Sequence, residues 1–222
     1  MKKILSIDWD FFINATFEER CLLFPDGNEN LGDAMNNYLW KRHYEFFDEL
    51  SKIGVTDDLS TFIEYMLTNY ATFMWVADSH KYAYNFIMDF TDWDEEFEVY
   101  NLDYHHDLYH YRTGNERVNC GNWGTILQED RPNMKYIWVK RDDSDTETIG
   151  GVEVPCEKID FVEFLKRIDD DRSFDYVFLC RSSMWSPPHL DHKFLELCVA
   201  LNTPITFHRF VEEKVLECRE VR

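Results

Sequence analysis

Carboxylate and imidazole side chains gather in three short clusters of this 222-residue sequence. The clusters are Asp8-Trp9-Asp10, Asp78-Ser79-His80 and Asp103-Tyr104-His105-His106-Asp107. Aspartate and histidine are common ligands of divalent metal ions, and both also serve as general acids and bases. The residue types therefore point to metal binding, to proton transfer, or to both.

The spacing within the clusters favours convergence on one centre. Alternate residues of an extended chain point to the same side, so Asp103, His105 and Asp107 can face a common point, as can the two aspartates of the first cluster. A set of carboxylates and imidazoles without a thiolate favours Mn²⁺ over Fe²⁺ or Zn²⁺. Four carboxylates and two imidazoles are enough for two such ions. The predicted ligands are Asp8, Asp10, His80, Asp103, His105 and Asp107.

Each cluster also has an ordinary structural explanation. An Asp-x-Asp pair after a strand is often a turn or a helix cap, and a single histidine such as His80 often belongs to a core or to a helix start. The third cluster is harder to explain in this way, because buried charges are rare unless they are paired. Three such clusters together favour metal binding. His106 stands apart as a candidate for proton transfer near neutral pH.

The hydrophobic pattern predicts the scaffold that brings the clusters together. Short apolar runs typical of buried strands alternate with stretches typical of helices. We predict strands at Lys3–Ile7, Thr72–Ala77, Phe97–Leu102, Tyr136–Val139 and Tyr176–Cys180, and helices at Asp33–Ile53, Leu59–Leu67, Tyr82–Met88, Ile159–Ile168 and His189–Leu201. This order predicts an α/β fold of three layers, α/β/α, with a mainly parallel sheet in a single domain over residues 1–222. Each cluster follows a predicted strand, where such sheets bind ligands.

The charge of the chain limits its partners. With 43 acidic and 23 basic side chains, the formal net charge is −20. Nucleic acids and anionic membranes need Lys and Arg as counter-charges, so we expect neither as a partner. An amine, a guanidinium, a basic peptide or a metal ion fits this charge.

The cysteines and the hydropathy indicate the compartment. The six cysteines are scattered without a Cys-x-x-Cys pair, and Cys180 and Cys198 fall in apolar runs, as buried thiols do in a reducing compartment. No apolar stretch approaches the roughly 18–20 residues of a membrane span, and the first residues, MKKILSID, do not fit a signal peptide. We therefore expect a cytoplasmic protein.

The motifs resemble those of a known family of metalloenzymes. The Asp-x-His-x-Asp run that begins at Asp103 resembles the central motif of the arginase and agmatinase superfamily, and His80 is similar to its other metal-binding histidine. The pair of Asp8 and Asp10 precedes this run, whereas it follows it in the usual arginases, so the chain looks circularly permuted relative to them. In this arrangement it resembles small atypical arginases that convert arginine to ornithine inside ribosomally made peptides.

The resemblance implies a fold, a cofactor and a reaction. It implies an arginase-like domain in which the six predicted ligands hold two Mn²⁺ ions. The implied substrate is an arginine-containing precursor peptide, whose guanidinium group is hydrolysed to leave ornithine and urea. The implied catalytic residues are Asp107, which takes the remaining proton of the attacking hydroxide as the tetrahedral intermediate collapses, and His106, with His110 as the other candidate for proton transfer.

The departures from the family pattern concern catalysis and substrate. The chain reads DWDFFIN, without the third aspartate of the arginase Asp-x-Asp-x-x-Asp pattern, and the stretch 119–124 lacks the histidine found in arginases. Residues that hold the α-groups of a free amino acid cannot be matched either. Together with the net charge of −20, this favours a basic peptide over free arginine.

A further polar segment follows the strand Tyr176–Cys180. We predict that Ser182 or Ser183 binds the guanidinium group and that Trp185 packs along the alkyl chain of the substrate. The alternative is a loop interrupted by prolines that leads into the helix at His189.

Three other functions remain open. In a haloacid-dehalogenase-like phosphohydrolase, Asp8 and Asp10 would serve as nucleophile and acid/base, although Phe12 stands where a small hydroxyl residue is usual. In a non-catalytic acidic protein that binds a basic peptide, the carboxylates would form only salt bridges. A zinc-dependent deacylase on the same fold would bind a single zinc ion.

Overall fold

The computed structural model describes residues 1–25, 33–66, 70–110, 117–144, 148–149, 152–169, 173–201 and 205–207. The strands are β1 (Lys2–Asp8), β2 (Ile13–Asn14), β3 (Gly54–Val55), β4 (Tyr70–Ala77), β5 (Phe97–Leu102), β6 (Met134–Lys140), β7 (Thr148–Ile149), β8 (Val152–Glu153), β9 (Glu157–Asp160), β10 (Ser173–Cys180) and β11 (Ile205–Phe207). The α-helices are α1 (Phe17–Leu23), α2 (Asp33–Phe46), α3 (Asp58–Met66), α4 (Tyr82–Phe90), α5 (Trp123–Asp130), α6 (Phe161–Asp169) and α7 (Asp191–Ala200).

Seven strands form the central sheet, in the order β11-β4-β10-β1-β5-β6-β9. Every neighbouring pair in this sheet runs parallel. One face packs against α3, α6 and α7, and the other face packs against α4 and α5. The predicted three-layer α/β/α fold with a mainly parallel sheet is confirmed. Two short antiparallel pairs, β2-β3 and β7-β8, lie outside the central sheet.

The alternation of side chains along β1 decides which face carries polar groups. Leu5 and Ile7 belong to the core under α3, α6 and α7, whereas Ile4 belongs to the core under α4 and α5. Ser6 and Asp8 share the side of Ile4, because successive residues of a strand point to opposite faces. The polar end of β1 therefore lies on the face that α4 and α5 cover.

The predicted helix Asp33–Ile53 is too long. Helix α2 ends at Phe46, and Phe47 takes an extended conformation before a short 3-10 helix at Asp48–Lys52. The chain then forms β3, which pairs antiparallel with β2. The buried Leu50 and the pairing of β3 require this change of direction, which a continued helix would prevent.

The predicted helix Ile159–Ile168 begins two residues too early. Strand β9 ends at Asp160, and its pairing with β6 extends the sheet at that edge. The Asp160 carboxylate accepts a hydrogen bond from the Glu163 amide at 2.7 Å, and this cap starts α6 at Phe161. The predicted helix His189–Leu201 likewise begins as a 3-10 turn at Pro188–Leu190 before α7.

Two further findings concern the expected compartment. Among the described helices, none is long and apolar enough to cross a membrane. Cys180 and Cys198 are buried, as their apolar neighbours in the sequence predict, and neither forms a disulfide with a described residue.

Candidate metal centre

The carboxyl ends of β1, β4 and β5 bring the three polar clusters together. Two groups of side chains have ligand atoms close enough to hold a metal ion. The first group is Asp8, His80 and Asp103, and the second is Asp10, Asp103 and His105. Asp103 belongs to both groups, so its carboxylate can bridge two ions. The buried Asp and His groups of this site can hold a metal ion.

The atoms around His80 show how well the first group fits a cation. His80 Nδ1 lies 3.2 Å from Asp8 Oδ2, 3.2 Å from Asp103 Oδ2 and 2.9 Å from Asp107 Oδ2. Although buried, this nitrogen forms no hydrogen bond with any described residue. Adjacent ligands of an octahedral ion with bonds of about 2.1 Å are about 3.0 Å apart, which is close to these separations. Asp107 is not one of the three residues of the first group, but its carboxylate lies beside His80, next to that group.

The second group is less enclosed. His105 Nδ1 lies 3.1 Å from Asp10 Oδ2 and 4.0 Å from Asp103 Oδ1. The His105 side chain is 26% exposed, whereas the Asp10 side chain is fully buried. Asp10 Oδ1 also accepts a weak hydrogen bond from the Tyr104 amide at 3.4 Å. All six predicted ligands therefore meet in one site.

The electrostatics of the site favour bound cations. Burial, together with neighbouring carboxylates, raises the pKa of Asp8 to about 7 and that of Asp103 to about 7. Burial alone would lower the pKa of His105, but Asp10 and the other aspartates outweigh it and raise the pKa to about 10. The site therefore takes up positive charge, which protons supply in the absence of metal and divalent ions can supply in their place.

Arg20 is a buried cation beside the second group that the sequence analysis did not identify. Its Nη1 lies 3.5 Å from Asp10 Oδ2, and its Nη2 donates to the backbone oxygens of Asp10 and Ile13 at 2.9 and 3.1 Å. Burial would raise the pKa of Asp10, but His105 and Arg20 outweigh it and lower the pKa to about 2. Arg20 thus fixes the turn after β1 and keeps Asp10 ionised.

Two polar residues inside the strands orient the ligands. Ser6 Oγ lies 2.7 Å from His80 Nε2, and Asn101 Nδ2 donates to Asp103 Oδ2 at 3.1 Å. With the proton on Nε2 donated to Ser6, the Nδ1 lone pair of His80 faces the carboxylates. Ser6 precedes Asp8 by two residues, and Asn101 precedes Asp103 by two. A polar residue two positions before a strand-end aspartate is the signal that could have identified both.

The backbone at Asp107 is held in a strained conformation by α5. Asp107 has φ 54°, in the left-handed region that a non-glycine residue rarely adopts. The Gly124 amide donates to the Asp107 carbonyl oxygen at 3.1 Å. A Cβ at Gly124 would lie 2.8 Å from Leu108 Cδ2 and 3.0 Å from that carbonyl oxygen. Only glycine allows this approach, because the backbone oxygen cannot move aside without displacing Asp107.

Replacing Gly124 by alanine should therefore disturb both the fold and the site. We expect Gly124→Ala to lower the free energy of unfolding by about 1–3 kcal/mol, the range for an overpacked core, and to weaken metal binding. Chemical denaturation and a metal titration measure the two effects. Gly54→Ala is the matched control, because a Cβ at Gly54 meets nothing within 4 Å. Equal behaviour of the two variants would contradict the role given to Gly124.

A cleft opens onto the first group of ligands, with about 370 Å³ of empty space when the adjoining open solvent is included. It is lined by Asp8, His80, His105, Asp107, Tyr109, Cys120, Gly121, Ser182 and Trp185. The predicted substrate residues Ser182 and Trp185 are thus at the cleft, and the Trp185 ring lies 5.5 Å from that of His105. Ser182 has φ 54°, the second non-glycine residue of the described chain with a positive φ, and like Asp107 it lines the cleft.

Two predicted residues are placed elsewhere. Ser183 Oγ accepts a hydrogen bond from Asn36 Nδ2 at 3.1 Å, and its carbonyl oxygen accepts one from Trp40 Nε1 at 2.7 Å, so Ser183 anchors α2. His106 is fully buried, and its Nδ1 accepts a hydrogen bond from the Leu108 amide at 2.9 Å. Neither residue lines the cleft, which Tyr109 and Cys120 line instead.

The loop that carries Cys120 and Gly121 is shaped by two asparagines. Asn122 Oδ1 accepts a hydrogen bond from the Asn119 amide at 2.7 Å, and Asn119 Oδ1 accepts one from the Gly121 amide at 3.0 Å. The Asn-x-Gly-Asn sequence is typical of such a turn. It could have predicted the loop, but not that the loop faces the cleft.

Asp78 of the second polar cluster does not join the metal centre. It lies 3.6 Å from Arg181 Nη1, and Arg181 Nη2 lies 2.6 Å from Asp191 Oδ1. The guanidinium of Arg181 is therefore neutralised between two carboxylates, which explains how an arginine is accommodated next to a site for cations.

Comparison of the chain with protein-family models, with curated proteins and with solved structures finds no match. The case for a function therefore depends on the geometry of the site and on its chemistry.

Proposed function

We propose that the protein is a metal-dependent hydrolase that converts arginine side chains of a precursor peptide into ornithine, with release of urea. The observation that carries the proposal is the pair of Asp/His groups that share Asp103 beside an open cleft. The six residues that would hold the ions are Asp8, Asp10, His80, Asp103, His105 and Asp107. Two ions in one site of carboxylates and imidazoles suit Mn²⁺. When bound, they supply positive charge and a water of lowered pKa at neutral pH.

The side chains of the cleft suit a guanidinium substrate. Tyr109 and Trp185 offer aromatic faces, which attract cations, and Ser182 offers a hydroxyl that can accept a hydrogen bond from a guanidinium nitrogen. With its nitrogen bound to Ser182 in the cleft, the guanidinium group would have its carbon facing the Asp/His groups. These contacts would hold the alkyl chain and the cationic group without contacting the α-carbon of the arginine.

Asp107 has the position required for proton transfer. Its Oδ2 faces His80 and Trp123, which leaves Oδ1 as the atom that takes a proton from the attacking water. Asp107 passes this proton to the departing ornithine nitrogen as the carbon–nitrogen bond to the side chain breaks. The second proton of the water leaves as the carbon–oxygen double bond of urea forms and follows the same route through Asp107, so that water and the cationic guanidinium give urea and a protonated ornithine amine. His106 is given no part in this step, because it does not line the cleft.

The cleft favours a peptide over free arginine and over a phosphate ester. The described residues that line it include no Lys or Arg to pair with an α-carboxylate or a phosphate. In the phosphohydrolase alternative, Asp10 would have to reach the substrate as acid or base, yet its side chain is fully buried and does not line the cleft. That alternative also leaves His80, Asp103 and His105 without a role.

The test combines elemental analysis with an assay for urea. The purified protein is analysed for bound metal and incubated with an arginine-containing peptide, with the same peptide carrying lysine for arginine, and with free arginine. We expect about two manganese ions per chain, as in two-metal hydrolytic sites, and urea and ornithine from the arginine peptide alone. Urea from free arginine alone would contradict the peptide substrate. A single zinc ion without urea would favour the deacylase, and neither metal nor urea would overturn the proposal.

A further inference from the structure

A tryptophan outside the predicted site contacts one of its ligands directly. Trp123 Nε1 donates a hydrogen bond of 2.5 Å to Asp107 Oδ2. The same oxygen lies 2.9 Å from His80 Nδ1. Trp123 is fully buried, so this hydrogen bond forms away from bulk solvent. The Asp107 oxygen that faces His80 is thus also held by the indole of Trp123.

The surroundings of Trp123 fix its indole in place. Its ring lies 4.9 Å from the His80 ring and 5.6 Å from the Tyr136 ring. Trp123 is the first residue of α5, and the next residue, Gly124, donates its amide to the Asp107 carbonyl oxygen. Two successive residues of α5 therefore hold Asp107, one through its carboxylate and the other through its backbone.

We propose that Trp123 is a positioning residue of the metal centre, whose indole N–H holds the Asp107 carboxylate in the orientation that faces His80. The inference rests on the metal-binding part of the proposed function and is independent of arginine hydrolysis. A donor that hydrogen-bonds a carboxylate favours its ionised form, which is the form that binds metal. The hydrogen bond from Trp123 also restricts the rotation of the Asp107 carboxylate. Its Oδ2 atom therefore stays directed toward His80.

The nature of this hydrogen bond explains why a tryptophan is suited to the position. The Asp107 side chain is almost fully buried beside His80. A charged donor such as lysine would neutralise the carboxylate and compete with a metal ion, whereas the indole N–H is neutral and cannot accept a hydrogen bond. Trp123 therefore supports the anion without taking the place of the cation.

The test begins with the Mn²⁺ affinity of Trp123→Phe, measured by calorimetric titration of the metal-free protein. We expect affinity to fall by about 10- to 100-fold, the usual cost of losing a partner that orients a metal ligand. Trp40→Phe is the matched control, because Trp40 is also buried and donates its indole N–H to a backbone oxygen, that of Ser183. Unchanged affinity in Trp123→Phe, or an equal loss in Trp40→Phe, would overturn the proposal.

A double-mutant cycle separates positioning from general destabilisation. If Trp123 acts through Asp107, Trp123→Phe has no further effect on Mn²⁺ affinity when Asp107 is already alanine. Additive losses would overturn the proposal, because they would mean that Trp123 acts by another route. Should Trp123→Phe fail to fold, benzothienylalanine at position 123 removes the N–H while keeping the shape of the ring. The same loss of affinity is then expected, and wild-type affinity would contradict it.

The titration also distinguishes this inference from the arginine hydrolysis proposed above. If the protein binds metal but forms no urea, the proposed hydrolysis is contradicted. The double-mutant cycle then still tests whether Trp123 acts through Asp107. A wild-type protein that binds no metal would overturn both.

Discussion

Asp103→Ala is expected to remove bound metal and urea formation together, and by more than any other single substitution of a ligand. Asp103 is the one residue that belongs to both groups of candidate ligands, with Oδ2 3.2 Å from His80 Nδ1 and Oδ1 4.0 Å from His105 Nδ1. Its loss removes a ligand from each ion at once. We expect activity to fall by much more than the roughly 100-fold that the loss of an orienting partner costs.

Elemental analysis and the urea assay measure this effect, and circular dichroism checks that the variant is folded. Asp89→Ala is the matched control, because Asp89 is an exposed aspartate of α4. It should keep the metal content and turnover of the wild type. Asp103→Asn should behave like Asp103→Ala, since the amide keeps the shape but not the charge. If the Asp103→Ala variant is folded and has wild-type turnover, the proposed metal centre with Asp103 as a shared ligand is wrong.

Saturating Mn²⁺ is expected to raise the unfolding temperature of the metal-free protein substantially. A ligand at 100 times its dissociation constant stabilises the folded state by about 2.7 kcal/mol per site. In a chain of this size, each kcal/mol shifts the unfolding temperature by about 2–4 °C, so one filled site adds about 5–10 °C. The increase arises because the ions replace protons and relieve repulsion among buried carboxylates.

Differential scanning calorimetry with and without Mn²⁺ measures the shift, and a chelator should reverse it. The Asp103→Ala variant should show little or no increase, whereas Asp89→Ala should match the wild type. An unfolding temperature that is insensitive to Mn²⁺ in the wild type would mean that the clusters form salt bridges only, as in the non-catalytic alternative.

The ligand set was predictable because it depends on regular geometry. Strands β1, β4 and β5 each contain a short apolar run, and parallel strands end at the same edge of a sheet. The side chains that follow such strands therefore lie together at this edge of the sheet, however the helices pack against it. Alternation along β1 and β5 also places Asp8 and Asp103 on the same face of the sheet. These rules need no knowledge of contacts between distant residues.

The residues that support the ligands were not predictable in this way. Arg20 and Trp123 reach Asp10 and Asp107 from α1 and α5, two helices that the sequence analysis did not assign. The role of Ser183 depends on α2, which packs beside it from a distant part of the chain. Such contacts arise from tertiary packing, which a pattern of local hydropathy does not contain.

The end of α2 was missed for a similar reason. The apolar spacing continues past Phe46, so periodicity alone extends the helix to Gly54. The helix ends because the following residues form other contacts. The Ile53 carbonyl oxygen lies 2.8 Å from His189 Nε2, and the next two residues pair with β2. Tertiary hydrogen bonds override helical periodicity at this point.

The order of the strands also decides when the centre can assemble during synthesis of the chain. Strand β10 lies between β4 and β1, and it pairs with both. A nascent chain can pair β1 with β5 early, but it cannot bring His80 beside Asp8 in this arrangement until the segment Ser173–Cys180 has left the ribosome. Asp8 and His80 therefore come together only after β10, which follows both of them in the sequence, has been translated. The first group of ligands is accordingly completed by a strand that contributes no ligand to it.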